Sequence, residues 1–308
     1  MLFSAGISFE PDKDIPPLDG KVILVTGGSN GLGKESVLRL AKHNPAMIWM
    51  GVRSLERAQA AIEEIRKQVP EAPPIKPLQM DLVSFASVSK AAATFREQST
   101  RLDILILNAG IMIAPPGLTD ENYEIQFGIN HMGHALLTKL LMPILLTTAS
   151  EPNSDVRLVI LSSEAHNYAP TTGFLWDSLK TTAASMNTLT RYGQSKLANI
   201  LYAKELARRH PQIKVASVHP GIVNTNLGNE QASQSLLIRA GLAIARGVVG
   251  VNVDTGAKTQ LWAATGQGVE SGEYYEPIAV SGRSSKIAKD RTIAQELWEW
   301  TEKEIENY

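Results

Sequence analysis

Short runs of consecutive apolar residues punctuate the chain, and between them apolar positions recur every three or four residues. The runs are Val22-Ile23-Leu24-Val25, Met47-Ile48-Trp49-Met50, Ile104-Leu105-Ile106-Leu107 and Leu158-Val159-Ile160-Leu161, and a further strand is expected at Lys214-Val215-Ala216-Ser217-Val218. None alternates strictly between apolar and polar, which is expected of strands covered on both faces. Leu55, Ala58, Ile62, Ile65 and Val69 fall three or four residues apart and predict one apolar helical face, closed by the proline-rich stretch 70–77. Further helices are predicted from the glycine-rich turn after the first strand through Lys42, over 88–98, over about 122–146 and over about 191–208. A short strand is expected at 77–80 and a last one near 274–278. Strands that alternate with helices in this way predict an α/β fold, a doubly wound parallel sheet of about seven strands with helices on both faces. The domain is expected to run from 18 to 308 behind an N-terminal arm, 1–17, which Pro16-Pro17 keeps from continuing as helix.

Composition narrows the function. The 308 residues carry a formal net charge of −1, so the chain lacks the electrostatic footprint of a nucleic-acid binder. With no cysteine it has no disulfide, thiolate nucleophile or cysteine metal site. The first residues show neither a basic region nor a long apolar run, and no stretch of ~18 apolar residues stands out. The expectation is a soluble, cytoplasmic chain.

The first strand leads into Thr26-Gly27-Gly28-Ser29-Asn30-Gly31-Leu32-Gly33, and a helix follows. Gly27, Gly31 and Gly33 meet three needs: positive φ in a tight turn, close backbone approach to a pyrophosphate, and packing of the helix near the strand. Helix N–H groups then meet the anion. The strand–turn–helix context makes this a Rossmann-type dinucleotide site. Asn108-Ala109-Gly110 ends the fourth strand on the same edge, where ligands bind in open sheets. Asp81-Leu82 ends the third strand, with Asp81 either touching adenine or capping a helix. The stretch after the second strand, Trp49 to Ser54, contains no carboxylate, and Arg53 supplies a guanidinium fork suited to a 2′-phosphate. Ser54 and Arg57 can add bonds. NADP(H) is therefore the expected cofactor.

Tyr192 and Lys196 are four apart on a predicted helix and share a face. Ser163 ends the fifth strand, and Asn130 lies inside a helix that it does not favour. A phenol at its ordinary pKa of about 10 is poorly poised at neutral pH. A lysine ammonium at ~4 Å, in an effective dielectric near 20, attracts a phenolate by about 4 kcal/mol before desolvation, enough to lower the phenol by roughly two to three pKa units. Ser163 can hydrogen-bond a substrate oxygen, and Asn130 can hold a water that links Lys196 to solvent.

With these pieces the chain resembles the short-chain dehydrogenase/reductases. The matching residues are Thr26–Gly33, Asn108-Ala109-Gly110, Asn130, Ser163, Tyr192 and Lys196, and Pro220-Gly221 with Thr225. The resemblance covers about 18–280 and implies an Asn130-Ser163-Tyr192-Lys196 catalytic set, with Tyr192 as the acid/base. It implies that Lys196 bonds the nicotinamide ribose, and that Pro220, Gly221, Val223 and Thr225 lie at the nicotinamide end. Gly31-Leu-Gly-Lys-Glu35, Ser162-Ser-Glu-Ala-His166, Tyr192-Gly-Gln-Ser-Lys-Leu-Ala-Asn199, His219-Pro-Gly221 and Gly256-Ala-Lys-Thr-Gln260 resemble the retinol-dehydrogenase-like branch. That branch shares the long interval between Ser163 and Tyr192.

Several readings stay open. His131 and His134 have helical spacing for a metal pair but no third ligand, so no metal site is assigned. His166 and His219 flank the expected site as catalytic or structural groups, and Phe174 and Trp176 line a pocket or simply pack. Residues 226–253 are apolar and basic. They read as a lid over a lipophilic carbonyl or alcohol substrate, a core helix, or a peripheral membrane-contact helix. A homodimer is among the open assemblies. Two rival functions remain: a cofactor-sensing or scaffold protein without chemistry, and an epimerase or dehydratase.

Overall fold

The computed structural model describes residues 6–223 and 250–308. Seven parallel strands form one sheet in the order β3-β2-β1-β4-β5-β6-β7. They are β1 (Val22–Thr26), β2 (Met47–Val52), β3 (Ile75–Gln79), β4 (Ile104–Leu107), β5 (Arg157–Leu161), β6 (Lys214–Val218) and β7 (Tyr274–Tyr275). The order steps outward from β1 to β3 and then returns to the other side of β1 at β4, in register Ile23↔Ile104. That reversal opens a crevice at the strands' carboxyl ends. The helices are α1 (Pro11–Asp14), α2 (Gly31–Ala41), α3 (Leu55–Gln68), α4 (Phe85–Gln98), α5 (Ile125–Ala149), α6 (Thr188–Arg209), α7 (Val253–Thr265) and α8 (Arg291–Glu304).

Successive side chains of a strand point to opposite faces, so each strand feeds two cores. Val22, Leu24, Leu105, Leu158 and Ile160 pack against Phe95, Leu136, Leu141, Leu201 and Leu297 from α4, α5, α6 and α8. Ile23, Val25, Ile104, Ile106 and Val159 pack against Leu40, Ile62, Ile65 and Leu261 from α2, α3 and α7. Continuous apolar strands are what this double covering requires.

Residues 6–17 are stitched to the domain. Phe9 and Ile15 lie in the second core, Ile7 N–H donates to the Ile278 carbonyl at 3.1 Å, and Asp12 bridges Arg39 of α2 and Lys42, the residue that caps its end. Glu10 pairs with Lys258 of α7 at 2.8 Å.

Some boundaries move. Asn122 has φ 64°, so the helix expected from there starts at Ile125, and residues Gly128–Met132 within it form a π turn. By length and composition α5 is apolar enough to cross a membrane, against the expectation from sequence. Here it is a core helix, with Leu136, Leu137 and Leu141 fully buried. Leu55, assigned to the apolar face of α3, is instead exposed. Thr225, and all but the last four residues of 226–253, lie outside the described residues. In that remainder Val251 bridges Val223, and Asn252 caps α7 by accepting the Thr255 N–H.

Candidate active site

The crevice between β1 and β4 holds a cavity of about 300 Å³. Its floor is the turn from β1 into α2. Gly27 has φ 69°, a left-handed conformation that favours glycine. A Cβ on Gly33 would lie 2.3 Å from the Gly27 carbonyl oxygen, so only glycine lets α2 start this close to the strand. Gly27, Ser29, Asn30, Gly31 and Leu32 line the cavity, and Asn30 caps α2 by accepting the Gly31 N–H at 2.8 Å. A helix start of this kind favours an anion.

Arg53, Ser54 and Arg57 line one end, beyond β2. Arg53 is exposed, and Ser54 Oγ caps α3 by accepting the Arg57 N–H at 3.2 Å. Asp81 and Leu82 stand beside them. Asp81 Oδ1 accepts the Val83 N–H at 3.1 Å, so this residue caps a local turn and lines the cavity as well. Asn108, Ala109 and Gly110 form the wall at the end of β4.

Tyr192, Lys196 and Pro220 line the other end, with Ile111, Ile129, Leu161 and Ser162. Tyr192 is 4% exposed and Lys196 5%. Lys196 Nζ donates to the Leu161 carbonyl at 3.1 Å and sits 5.6 Å from the centre of the Tyr192 ring. Ser162 Oγ donates to the Lys196 carbonyl at 2.7 Å and so ties β5 to α6. Ser163 Oγ accepts the Ala165 N–H at 3.1 Å and hydrogen-bonds Tyr192. Burial pushes the Tyr192 phenol up to about 12, against the pull of the Ser163 bond, and pushes Lys196 down to about 7. The lowering of Tyr192 by Lys196 that the spacing suggested does not appear. Desolvation acts on both groups, and it weakens the very charge that was expected to stabilise the phenolate.

Asn130 is fully buried in the π turn of α5. Its Oδ1 accepts the Ile111 N–H at 2.8 Å, and its Nδ2 donates to the Ile111 carbonyl at 3.0 Å and to Ser195 Oγ at 2.9 Å. Both amide protons are thus committed to holding the β4 loop and α6. Ser195 Oγ donates onward to the Tyr192 carbonyl at 2.7 Å.

Gly33, Asn130, Ser163, Gly221 and Val223 are not among the lining residues. Val223 instead packs on α7, where a Cβ on Gly256 would lie 2.6 Å from its Cγ2. His131 and His134 serve separate partners, Thr301 Oγ1 and Thr26 Oγ1, each at 3.0 Å. His166 Nδ1 meets the Ser163 carbonyl at 2.8 Å, and its Nε2 accepts the Ser285 N–H at 3.0 Å. Phe174 is buried against Phe127 and Trp176. Two supports went unread in the sequence. Thr26 Oγ1 accepts the Asn108 and Ala109 N–H groups, both at 2.9 Å. Gln260 Nε2 donates to Ser36 Oγ at 2.6 Å, which fastens α7 to α2. The Gly256–Gln260 motif marked the second without giving it a role.

Residues 21–175 match the short chain dehydrogenase family model. The short-chain dehydrogenase/reductase drtF of Aspergillus calidoustus is 38% identical over 306 residues, covering 94% of this chain and 95% of its own. Retinol dehydrogenase 14 of Homo sapiens is 33% identical over 301 residues, covering 92% and 86% respectively. The crystal structure of an uncharacterized protein from Mycobacterium Paratuberculosis aligns with a TM-score of 0.73 at 28% identity, over 96% of this chain and 97% of that one. A glycine turn at the switch point of the sheet, a buried Tyr–Lys pair across the cavity from it, and these likenesses agree: the chain belongs to the short-chain dehydrogenase/reductase family of oxidoreductases and is retinol-dehydrogenase-like within it.

Proposed function

We propose that the chain is an NADP(H)-dependent oxidoreductase that interconverts a lipophilic ketone or aldehyde and its alcohol, with Tyr192 as the acid/base. One observation carries this reading: a single cavity is lined by Arg53 at one end and by the buried Tyr192–Lys196 pair at the other. The residues present fit a dinucleotide. The Gly27–Leu32 turn would hold the pyrophosphate, where Cβ atoms at Gly27 and Gly33 would crowd Ala109, Asn108 and the Gly27 carbonyl. Arg53 would meet a 2′-phosphate, with no carboxylate in 49–54 to repel it. Asp81 and Leu82 would flank the adenine, and Asn108 to Gly110, Lys196 and Pro220 the nicotinamide side. When bound, the nicotinamide supplies or accepts the hydride.

The protein's own part is the proton. Tyr192 Oη gives it to the substrate oxygen in reduction and recovers it in oxidation. Ser163 Oγ already accepts the Ala165 N–H, so its own proton is free to orient the phenol or to bond the same oxygen. Lys196, which burial brings down to about 7, places positive charge beside a developing phenolate when it is protonated. For substrate class, support comes from the retinol named in a 33%-identical relative and from Ile222, 39% exposed just beyond Gly221.

Turnover of NADPH with retinoid, steroid and long-chain carbonyls, set against small sugars, tests the reading. Faster turnover with the lipophilic set is expected. A sugar preference overturns the substrate class, and no turnover with any carbonyl overturns the enzyme assignment in favour of a cofactor-sensing protein.

A further inference from the structure

His134 is 2% exposed and sits one helical turn after Asn130. Its ring lies between Thr26, the last residue of β1, and the Asn130 carbonyl. Thr26 Oγ1 spends both acceptor sites on the Asn108 and Ala109 N–H groups, so it meets any further partner only as a donor. Its proton has two acceptors, the Ile106 carbonyl at 3.5 Å and His134 Nε2 at 3.0 Å. The shorter contact makes Nε2 an acceptor. On the other side, Nδ1 is 3.2 Å from the Asn130 carbonyl, which can only accept, so Nδ1 carries the proton. One neutral tautomer therefore satisfies every group, and burial keeps the ring neutral by holding it at about 3.

The bonds join into one path. From the glycine turn they run through Thr26 to His134 and Asn130, then through Ser195 to the Tyr192 carbonyl. We propose that His134 is a positioning residue that fixes the glycine turn of the cofactor site against the helix bearing Tyr192 and Lys196, each ring nitrogen serving one side. The proposal rests on the reaction proposed for that cavity. Its distinguishing feature is that the two duties can be separated.

His134→Gln offers an amide oxygen near the place of Nε2 and keeps the Thr26 bond, but it serves the Asn130 carbonyl poorly. His134→Asn offers an N–H near the place of Nδ1 and keeps the Asn130 bond, but it frees the Thr26 proton. Asn is therefore expected to weaken NADPH binding about tenfold with kcat nearly kept. Gln is expected to lower kcat about tenfold with NADPH binding nearly kept. Tenfold is the scale of one net buried hydrogen bond. NADPH fluorescence titration and kcat, both measured below each variant's melting temperature, read the two effects apart. Equal losses of both quantities in the two variants, or losses that only follow the folded fraction, overturn the proposal. Tyr192→Phe run alongside separates the failures. If it retains turnover, the proposed chemistry is wrong. If it is inactive while Gln and Asn behave alike, only the role of His134 falls.

Discussion

The two ends of the cavity are built on opposite principles. At the Arg53 end the side chains are exposed or half-exposed, and Ser54 makes a local cap on the Arg57 N–H. At the Tyr192 end, Asn130, His134, Ser195 and Lys196 are buried and bonded to residues far away in the chain. Water screens the first end, and side chains there can be exchanged at modest cost. At the second end each group is held by the others, and an unpaired one would bear its full desolvation penalty. Choice of cofactor can thus be retuned at the rim without disturbing the chemistry, whereas the reacting end tolerates little.

The sharpest break in this contrast is Tyr192→Phe. It should lower turnover by roughly 10² to 10⁴, the usual scale of positioned acid–base catalysis, and leave the Kd for NADPH nearly unchanged. Retention of half the wild-type rate, in a reaction limited by chemistry, removes Tyr192 from its role. Next in size, Arg53→Ala should erase a preference for NADPH over NADH of at least about tenfold in kcat/KM by weakening NADPH alone. Because Arg53 is exposed, added salt should shrink that preference while leaving the Tyr192→Phe deficit unchanged, and the two salt series measured side by side test the contrast directly.

A smaller effect concerns pH. Lys196 is pushed from 10.5 to about 7 by burial, so between these values the unfolded chain binds a proton that the folded one does not. Stability attributable to Lys196 should therefore rise with pH from about 7 towards 10.5, and below 7 the full cost of burying the cation is present. Thermal midpoints of wild type and Lys196→Met across that window should converge or cross as pH rises, and parallel curves would show that Lys196 does not titrate there. The smallest effect is Ser54→Ala. Loss of the α3 cap should cost about 1 kcal/mol, or roughly 2–4 °C in Tm, with little change in the Kd for NADH.

What could be read in the sequence follows how local each signal was. The strands Ile104–Leu107 and Lys214–Val218 match their apolar runs to the residue. The third strand was expected two residues late because the proline-rich stretch 70–77 hides its start. As β3 is an edge of the sheet, a missing N–H is tolerated there. The expectations contained no helix at Val253–Thr265, where small residues such as Gly256, Ala257 and Ala263 leave no apolar stripe. They also stopped at the last strand, although Ala294, Leu297 and Thr301 of α8 share a buried face. In the site, the glycine turn and the Tyr192–Lys196 pair are spacings within one segment. The Thr26–His134 bond joins residues 108 apart, and no spacing within either segment links the two. The π turn was equally hidden, since it replaces a regular helix without changing its composition.

The docking of the N-terminal arm has a consequence for synthesis on the ribosome. Ile7 leaves the exit tunnel early, but its partner carbonyl belongs to Ile278, and Glu10 waits for Lys258. At about 5–20 residues per second, that gap corresponds to a delay on the order of tens of seconds. Over that interval the arm lacks its Ile278 and Lys258 contacts and can meet only early partners such as Arg39 and Lys42. The nascent chain can assemble β1, β2 and β3 while it grows. The seam that joins Ile7 to Ile278 can close only after the residues that follow β7 have been made.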